Sequence, residues 1–510
     1  VRKMVIHVNL TPPIPALPRF EDKTTIDLRY SVIAPYADIH IHWDRKAGEL
    51  IYEVEEPLLT PKEKESLSTI ESAMLELVNI NVIIDKTQEL LIEYIDKTAR
   101  VVIQELNLNI SEQAYEKIFY YLYRDFIGFN QIEPIIKDYF IEDIECNGVN
   151  TPVYVVHRLY RNLKTNIIFK DVDELASFVE KLAQRCGRYI SYAQPLLDGS
   201  LPDGSRVNAT FTKDVTSRGP TFTIRKFTKL PWTPTQLIAM NTLSPEMLAY
   251  FWILLQFKTN ILVTGGTSSG KTTMLNAIAF FIPPEARVIS IEDTRELMLP
   301  RENWLPAVAR TAIGIGKVGE VDLFDLLKNS FRQNPDYVIV GEVRGKEAFV
   351  LFQGMASGHA CVSTMHADSL DTLIRRLQTP PIDLSPTLIN SLDCVAVMTH
   401  ALIKNRHTRR LREIVEVVNI DKGGTALINT PFIWNPAEDR FYYKKQSKVF
   451  EKISARFGIS VPKLQEDFIN RAKLLYILYQ RRIFGFYDMQ KIITEYYRSP
   501  AAVLKFYGVA

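Results

Sequence analysis

A chain of 510 residues has room for about three domains of ordinary size, and 46% hydrophobic with 24% charged residues is the balance of a globular protein, not of a disordered or fibrous one. A formal net charge of +2 gives no global bias toward nucleic acid. The longest strictly apolar run, Met247–Leu255, is too short to cross a bilayer. The start, Val1-Arg2-Lys3-Met4, is basic but has no apolar core of about 7–15 residues behind it, so no signal peptide is expected and the chain is expected in the cytoplasm. The four cysteines, Cys146, Cys186, Cys361 and Cys394, form no C-x-x-C pair and have no histidine at finger spacing. They are expected to be reduced thiols, and stoichiometric zinc is not expected in the protein.

Short β-branched runs at Thr25–Ile33 and Ile39–His42 are interrupted by Pro12, Pro13, Pro15, Pro18 and Pro35, which predicts irregular strands in the first 60 residues. From Pro61 the pattern is helical, with Leu91, Tyr94, Ile95, Val101 and Val102 at helical spacing. The stretch Glu112–Phe126 carries Tyr115, Phe119, Tyr120, Leu122, Tyr123 and Phe126. Such a stripe is the core face of a helix; its other use would be base stacking. Between Ile141 and Phe227, strands at Val153–His157 and Asn166–Phe169 and a helix at Val172–Cys186 stopped by Gly187 describe an α+β domain. Its last segments, Leu201–Arg206 and Gly219–Phe227, each bear an arginine, Arg206 and Arg225. The proline-marked stretch Lys229–Pro234 is expected to be the hinge.

From Thr235 to about Ile420 apolar strands alternate with helices, as in a buried parallel sheet: Ile261–Thr264, Val288–Ile291, Tyr337–Val340 and Ala360–Thr364. The first of these strands leads into Gly265-Gly266-Thr267-Ser268-Ser269-Gly270-Lys271-Thr272-Thr273, which meets G-x-x-x-x-G-K-[ST] between an apolar strand and an amphipathic helix. The glycines let backbone N–H groups turn inward onto phosphate oxygens. Lys271 is placed for the β- and γ-phosphates, the Thr272 hydroxyl for Mg²⁺, and the helix N-terminus for the same anion. ATP and Mg²⁺ are the expected cofactors.

Three further strands end in polar groups. Val288–Glu296 carries Glu292 and Asp293 where ligands bind in open α/β sheets, or where Asp293 caps a helix. Asn334–Arg344 ends its apolar strand in Glu342, placed to hold a magnesium-bound water or to orient the attacking water. Gly358–Ala367 carries His359 and His366 on either side of one short strand, candidates for sensing a γ-phosphate. Lys404–Arg412, with Arg406, Arg409, Arg410 and Arg412, is expected at a hairpin tip, either solvated or touching acidic lipid or a membrane partner. Val449–Ala510 is helical, with Leu474, Leu475, Ile477 and Leu478 on its apolar face.

These motifs, in this order, resemble the secretion-ATPase superfamily, the motors of type II secretion, type IV pili and archaella. Within it the chain is similar to the archaeal type II/IV secretion ATPases. The resemblance runs from about Ile141 to the C-terminus and includes Ile141-Glu-Asp-Ile-Glu-Cys-Asn-Gly and Pro202-Asp-Gly-Ser-Arg-Val-Asn. It implies an α/β fold: a RecA-like P-loop NTPase core with an α+β N-terminal domain and a helical N-terminal extension. The expected bounds are 1–110 for the extension, 111–230 for the α+β domain, 231–440 for the ATPase core and 441–510 for a C-terminal helical subdomain. By resemblance, Glu292 falls in the family's "Asp box", Glu342 ends its Walker B, His359 and His366 lie in its "His box", and Arg206 and Arg225 match arginines brought to the nucleotide. The four-cysteine metal motif of bacterial pilus-extension members is absent, and Gly345-Lys346 follows Arg344 where many bacterial members have Asp. Both departures favour the archaeal branch.

The expectation is a homo-hexameric, Mg²⁺-dependent ATPase, peripheral at the cytoplasmic face of the membrane, that acts on a polytopic inner-membrane platform protein and drives a pilus-like filament or secretion apparatus. An anionic lipid surface is a further expected contact and nucleic acid is not. The alternatives are an archaellum motor and, from another class, a RecA-like nucleic-acid translocase, which would want a basic groove.

Overall fold

The computed structural model describes residues 9–10, 12–13, 15, 17, 22–77, 88–227, 230–310, 319–403, 406–421 and 423–509. Val1–Met4, Pro18, Lys229, Lys404 and Asn405, used above, lie outside them. The chain divides into two compact units, Val1–Phe227 and Thr228–Ala510.

The first unit is built on a nine-stranded sheet. Its strands are β1 (Asp27–Ile33), β2 (Ala37–Asp44), β3 (Glu49–Glu55), β4 (Ile141–Cys146), β5 (Pro152–His157), β6 (Arg161–Ile168), β7 (Leu196–Ser200), β8 (Arg206–Thr210) and β9 (Thr221–Arg225). They lie in the order β1-β2-β3-β6-β5-β4-β9-β8-β7. The first three strands are an antiparallel meander, better ordered than expected, with one irregularity, a register shift between Ser31 and Ile33. Pro35 is in the turn between β1 and β2, outside the ladder, so it does not interrupt pairing. Because β3 pairs in parallel with β6, the meander continues the sheet of β4–β9. Residues before 111 thus share a sheet and a core with those after it. Alternation explains the burial: Leu50, Tyr52 and Val54 of β3 point inward while Glu49, Ile51, Glu53 and Glu55 do not. Tyr30 and Tyr52 each donate a hydrogen bond of 2.7 Å to Oδ2 of Asp138. Burial pushes both phenols up, so they stay protonated donors. The aromatic stripe is core, as its spacing predicts: Tyr115, Phe119, Tyr120, Leu122 and Tyr123 are buried.

The second unit has its own nine-stranded sheet: β10 (Ile261–Gly265), β11 (Val288–Glu292), β12 (Trp304–Val308), β13 (Tyr337–Val340), β14 (Ala360–Met365), β15 (Cys394–Ile403), β16 (Arg406–Ile420), β17 (Ala426–Asn435) and β18 (Arg440–Tyr443). The order is β12-β11-β13-β14-β10-β15-β16-β17-β18. The first six strands are mutually parallel and the rest antiparallel. The apolar run Met247–Leu255 is a wholly buried stretch of the helix Pro245–Gln256. It shares one core with the helices Lys448–Phe457, Val461–Gln480, Phe486–Arg498 and Pro500–Tyr507. Trp252 stacks on Phe281 at 4.9 Å. Among the described residues no helix is long and apolar enough to cross a membrane.

Two expectations change. Pro231 and Pro234 are buried in the second unit. Thr233 caps the helix Pro234–Ala239 and Thr235 donates to the Ile483 carbonyl at 2.6 Å, so this end of the expected hinge is fastened to the second unit. The basic stretch also differs. Its arginines lie within β16, because β15 continues to Ile403 and β16 begins at Arg406, so the ladder reaches almost to the tip. Arg410 is 4% exposed and holds Asp439 through two hydrogen bonds of 2.8 and 2.9 Å. Trp434 and Asn241 donate to the same carboxylate. Arg412 pairs with Glu413 at 2.6 Å. Neither side chain is a free cation for lipid.

Removing one member of a buried ion pair strands the other. Arg410→Ala is therefore expected to cost about 3 kcal/mol, seen as a lower urea midpoint. Arg412→Ala, which loses a partly exposed pair, should cost less than about 1 kcal/mol.

Candidate nucleotide site

The strand order creates the site. β14 is inserted between β10 and β13, with Val263 opposite Thr364 and Val340 opposite Ser363. All three strands are parallel, so the residues that follow them emerge on one edge. Lys271 follows β10, His366 follows β14 and Glu342 follows β13. Thr364 tightens the junction by donating to the Gly341 carbonyl at 2.6 Å.

The loop Gly265–Thr273 runs from β10 into the helix Lys271–Ala279. Gly270 precedes that helix with φ +95°, a left-handed conformation that favours glycine. A side chain at Gly265 would meet the Met398 carbonyl at 2.6 Å. Lys271 Nζ folds back onto the loop, donating to the carbonyls of Gly265 and Gly266 at 3.1 and 2.9 Å. Burial moves its pKa down, opposed by Glu342 and Asp368. Oγ of Ser269 and Oγ1 of Thr264 are buried without a hydrogen-bond partner among the described residues. Buried hydroxyls beside a folded-back lysine suit an incoming polyanion.

His366 bridges the two charged residues. Its Nδ1 is 3.2 Å from Lys271 Nζ, and its Nε2 is 3.1 Å from Oε1 of Glu342, without the alignment of a hydrogen bond. The lysine can only donate, so Nδ1 accepts and the proton sits on Nε2, facing the carboxylate. Burial, then the Lys271 charge, holds the His366 pKa below its ordinary value, which keeps the ring neutral. Arg344 pairs with the other oxygen of Glu342, and Arg376 donates to the His366 carbonyl.

Glu292 ends β11 at 2% exposure. Oε1 accepts from the amides of Glu296 and Leu297, both at 2.9 Å, while Oε2 is buried without a partner among the described residues. Burial pushes its pKa up to about 7, against the pull of those two amides. No helix begins at Asp293, so the capping alternative does not arise. Gly341 leaves room for Glu292, whose Cγ would be 3.0 Å from an added Cβ.

Not every expected residue joins this cluster. His359 precedes β14 while His366 follows it. Seven residues of extended chain at about 3.3 Å each put them roughly 20 Å apart, so the expected pair of histidines is not a pair within one chain. His359 packs instead on Phe331, ring centroids 4.8 Å apart. Arg206 and Arg225 belong to the first unit. They are directly opposite each other on β8 and β9. Arg206 pairs with Asp198 at 3.2 Å and Arg225 with Asp143 at 3.2 Å. Both pairs are exposed and cheap to open. Sequence reasoning missed Arg409, which crosses from β16 to donate to the Ser268 carbonyl at 2.9 Å. It also missed Asp368, whose Oδ1 would be 3.0 Å from a Cβ on Gly266. The run of arginines is the signal for the first, and its spacing alone points to a surface tip.

A phosphate loop at the carboxyl edge of a parallel sheet, with one strand inserted before the acid-bearing strand, defines a RecA-like P-loop NTPase core. The family model "Type II/IV secretion system protein" matches residues 128–438, and the chain belongs to that family of secretion ATPases. An uncharacterised protein of Methanocaldococcus jannaschii is 37% identical over 404 residues, 78% of this chain and 73% of that protein. The type IV secretion system protein PtlH of Bordetella pertussis is 33% identical over 228 residues, 40% of this chain and 67% of PtlH. Among solved structures, the pilus retraction motor PilT with bound ADP is similar at 17% identity and a TM-score of 0.38, covering 69% of this chain and 92% of PilT. The VirB11 ATPase of the Brucella suis type IV secretion system is 23% identical with a TM-score of 0.29, over 56% of this chain and 91% of VirB11.

The raised pKa of Glu292 has a stability consequence. Its carboxyl ionises near the ordinary value of 4.5 when unfolded but at about 7 when folded. Stability linked to this group is therefore present below pH 4.5 and lost as pH rises toward 7. Relative to Glu292→Gln, the nucleotide-free protein should lose roughly 2–4 kcal/mol between acid and neutral pH, read from urea titrations at both ends. Arg409→Ala should weaken ATP and ADP binding alike, by about tenfold for one lost charge-assisted bond to the loop, measured by calorimetry.

Proposed function

We propose that this chain is a Mg²⁺-dependent ATP hydrolase that works as a homo-hexamer at the cytoplasmic face of the membrane. There it acts on a polytopic platform protein and powers a type IV pilus-like filament or a type II/IV secretion apparatus. The observation that carries the chemistry is the neutral His366 between Lys271 and Glu342. It links the phosphate loop to the carboxylate, so a γ-phosphate entering beside Lys271 is felt at Glu342. Lys271 leaves its own loop carbonyls for the phosphates. Glu342 leaves Arg344 and orients the attacking water. Glu292, titrating near neutrality, is suited to holding a proton beside it.

The Thr272 hydroxyl and Glu342, the latter through water, would hold Mg²⁺, whose chemistry is to neutralise charge on the transferring phosphoryl group. The buried unpartnered oxygen of Glu292 and hydroxyl of Ser269 support a charged, hydrated ligand here. Arg206 and Arg225, adjacent on one face and held only by exposed pairs, are suited to reach a γ-phosphate, which their planar donor forks match. ATP would then close the two units and hydrolysis release them.

Lys271→Ala should abolish phosphate release, and Glu342→Gln should bind ATP yet turn over about 10²-fold more slowly. Arg225→Ala should lower kcat by about 10²-fold while leaving ADP affinity unchanged, because ADP lacks the phosphate sensed. Normal turnover by Glu342→Gln would transfer the water-orienting role to Glu292. Normal turnover and ATP-dependent closure in Arg225→Ala would remove the clamp.

A further inference from the structure

On the outer face of the first unit's sheet, β2 presents His40 and His42 side by side, two residues apart and therefore on the same side of the strand. Their rings are 4.4 Å apart. Glu53 of β3 is directly opposite His40. On the other side Asp27 and Arg29 of β1 are opposite His42 and His40. One ligand atom from each of His40, His42 and Glu53 falls within 4.8 Å of the other two.

The proton positions favour coordination. Oδ1 of Asp27 is 2.8 Å from Nε2 of His40. A carboxylate there accepts, so Nε2 carries the proton and Nδ1 offers its lone pair. That lone pair faces Oε2 of Glu53 at 3.8 Å and Oε1 of Glu55 at 3.6 Å. An acceptor nitrogen among carboxylates needs a cation or donor between them, and Arg29 Nη2 supplies it at 3.4 Å, while also pairing with Glu55 at 3.1 Å. Nδ1 of His42 is buried with no hydrogen-bond partner among the described residues. An orphaned buried nitrogen is unfavourable unless something else binds it. A metal-bound imidazole whose other nitrogen donates to a carboxylate is the usual arrangement at a metal centre.

We propose that His40, His42 and Glu53 bind one divalent transition-metal ion, with Asp27 orienting His40 and Glu55 or water completing the shell. The ion replaces the Arg29 guanidinium, which is 63% exposed and free to swing away. Two imidazole nitrogens and a carboxylate oxygen select the zinc, cobalt or nickel class over magnesium or calcium. Ligand atoms around such an ion are about 3.3–3.5 Å apart, so closing from 4.8 Å takes small rotations of half-buried rings and of a partly exposed glutamate. The site ties β1, β2 and β3 together. It uses none of the cysteines and none of the nucleotide-site residues.

The test uses the full chain, stripped with chelator and free of nucleotide, dialysed against ZnCl₂ and analysed for bound metal, with CoCl₂ as a spectroscopic substitute. The expected result is one zinc per chain at micromolar free ion, and visible cobalt d–d bands. His40→Gln and His42→Gln should each weaken binding about 100-fold and abolish the bands, and Asp27→Asn about tenfold. Far-UV circular dichroism and ATP hydrolysis of each variant show that it is folded. Wild-type protein that binds no zinc at 100 times that concentration, or folded His40→Gln and His42→Gln variants that bind as wild type does, would overturn the proposal.

Discussion

Everything at the nucleotide site depends on one feature of strand order, the insertion of β14 between β10 and β13. Adjacent strands are about 4.8 Å apart, so the phosphate loop and the acid-bearing strand end about two strand spacings from each other. The residue that follows the inserted strand lies in that gap, beside both Lys271 and Glu342. His366 is the right length and chemistry for the gap. It accepts from an ammonium on one side and presents an N–H to a carboxylate on the other.

The rest of the second unit keeps that edge in register. The helix Pro245–Gln256 is apolar all round because it is enclosed by the sheet and by the C-terminal helices. From this helix Tyr250 donates to Glu416, a buried carboxylate that also accepts from Asn429 and from the Lys448 amide. The satisfied acid links the helix, β16 and the C-terminal helices without leaving a bare charge in the core. Arg410 does the same at the next turn of the sheet, joining β16 to Asp439 and to the Met240 carbonyl. Arg409, its neighbour on β16, faces the other way and fastens the phosphate loop. Alternation along one strand thus assigns two adjacent arginines to two different tasks, one structural and one at the site.

The first unit shows the opposite economy of contacts. Its interior is firmly built, with aromatic rings and phenols converging on Asp138. Its charged residues of interest are held by exposed pairs. Arg206 and Arg225 are each engaged by a carboxylate of their own sheet. Exposed pairs are worth little, so these arginines are restrained in place but available.

The phosphate loop was legible in the sequence because its chemistry is contiguous: glycine spacing, a lysine and a hydroxyl, framed by an apolar strand and a helix. The parallel strands were legible too, since residues buried on both faces leave unbroken apolar runs. The aromatic stripe of Glu112–Phe126 announced a core face through its period alone. What the sequence could not carry was how segments far apart in it meet. His359 and His366 look equivalent in a row of letters, yet an extended strand separates them and only one reaches the site. Arg409 and Ser268 are 141 positions apart, and their contact exists because β16 lies two strands from β10 in the sheet. Arg410 looked like surface charge until Asp439 came to meet it. Local spacing determines which chemistry a segment can perform; only the tertiary structure decides which segments are neighbours, because strand order and pairing are set by burial across the whole fold and not by any one stretch of chain.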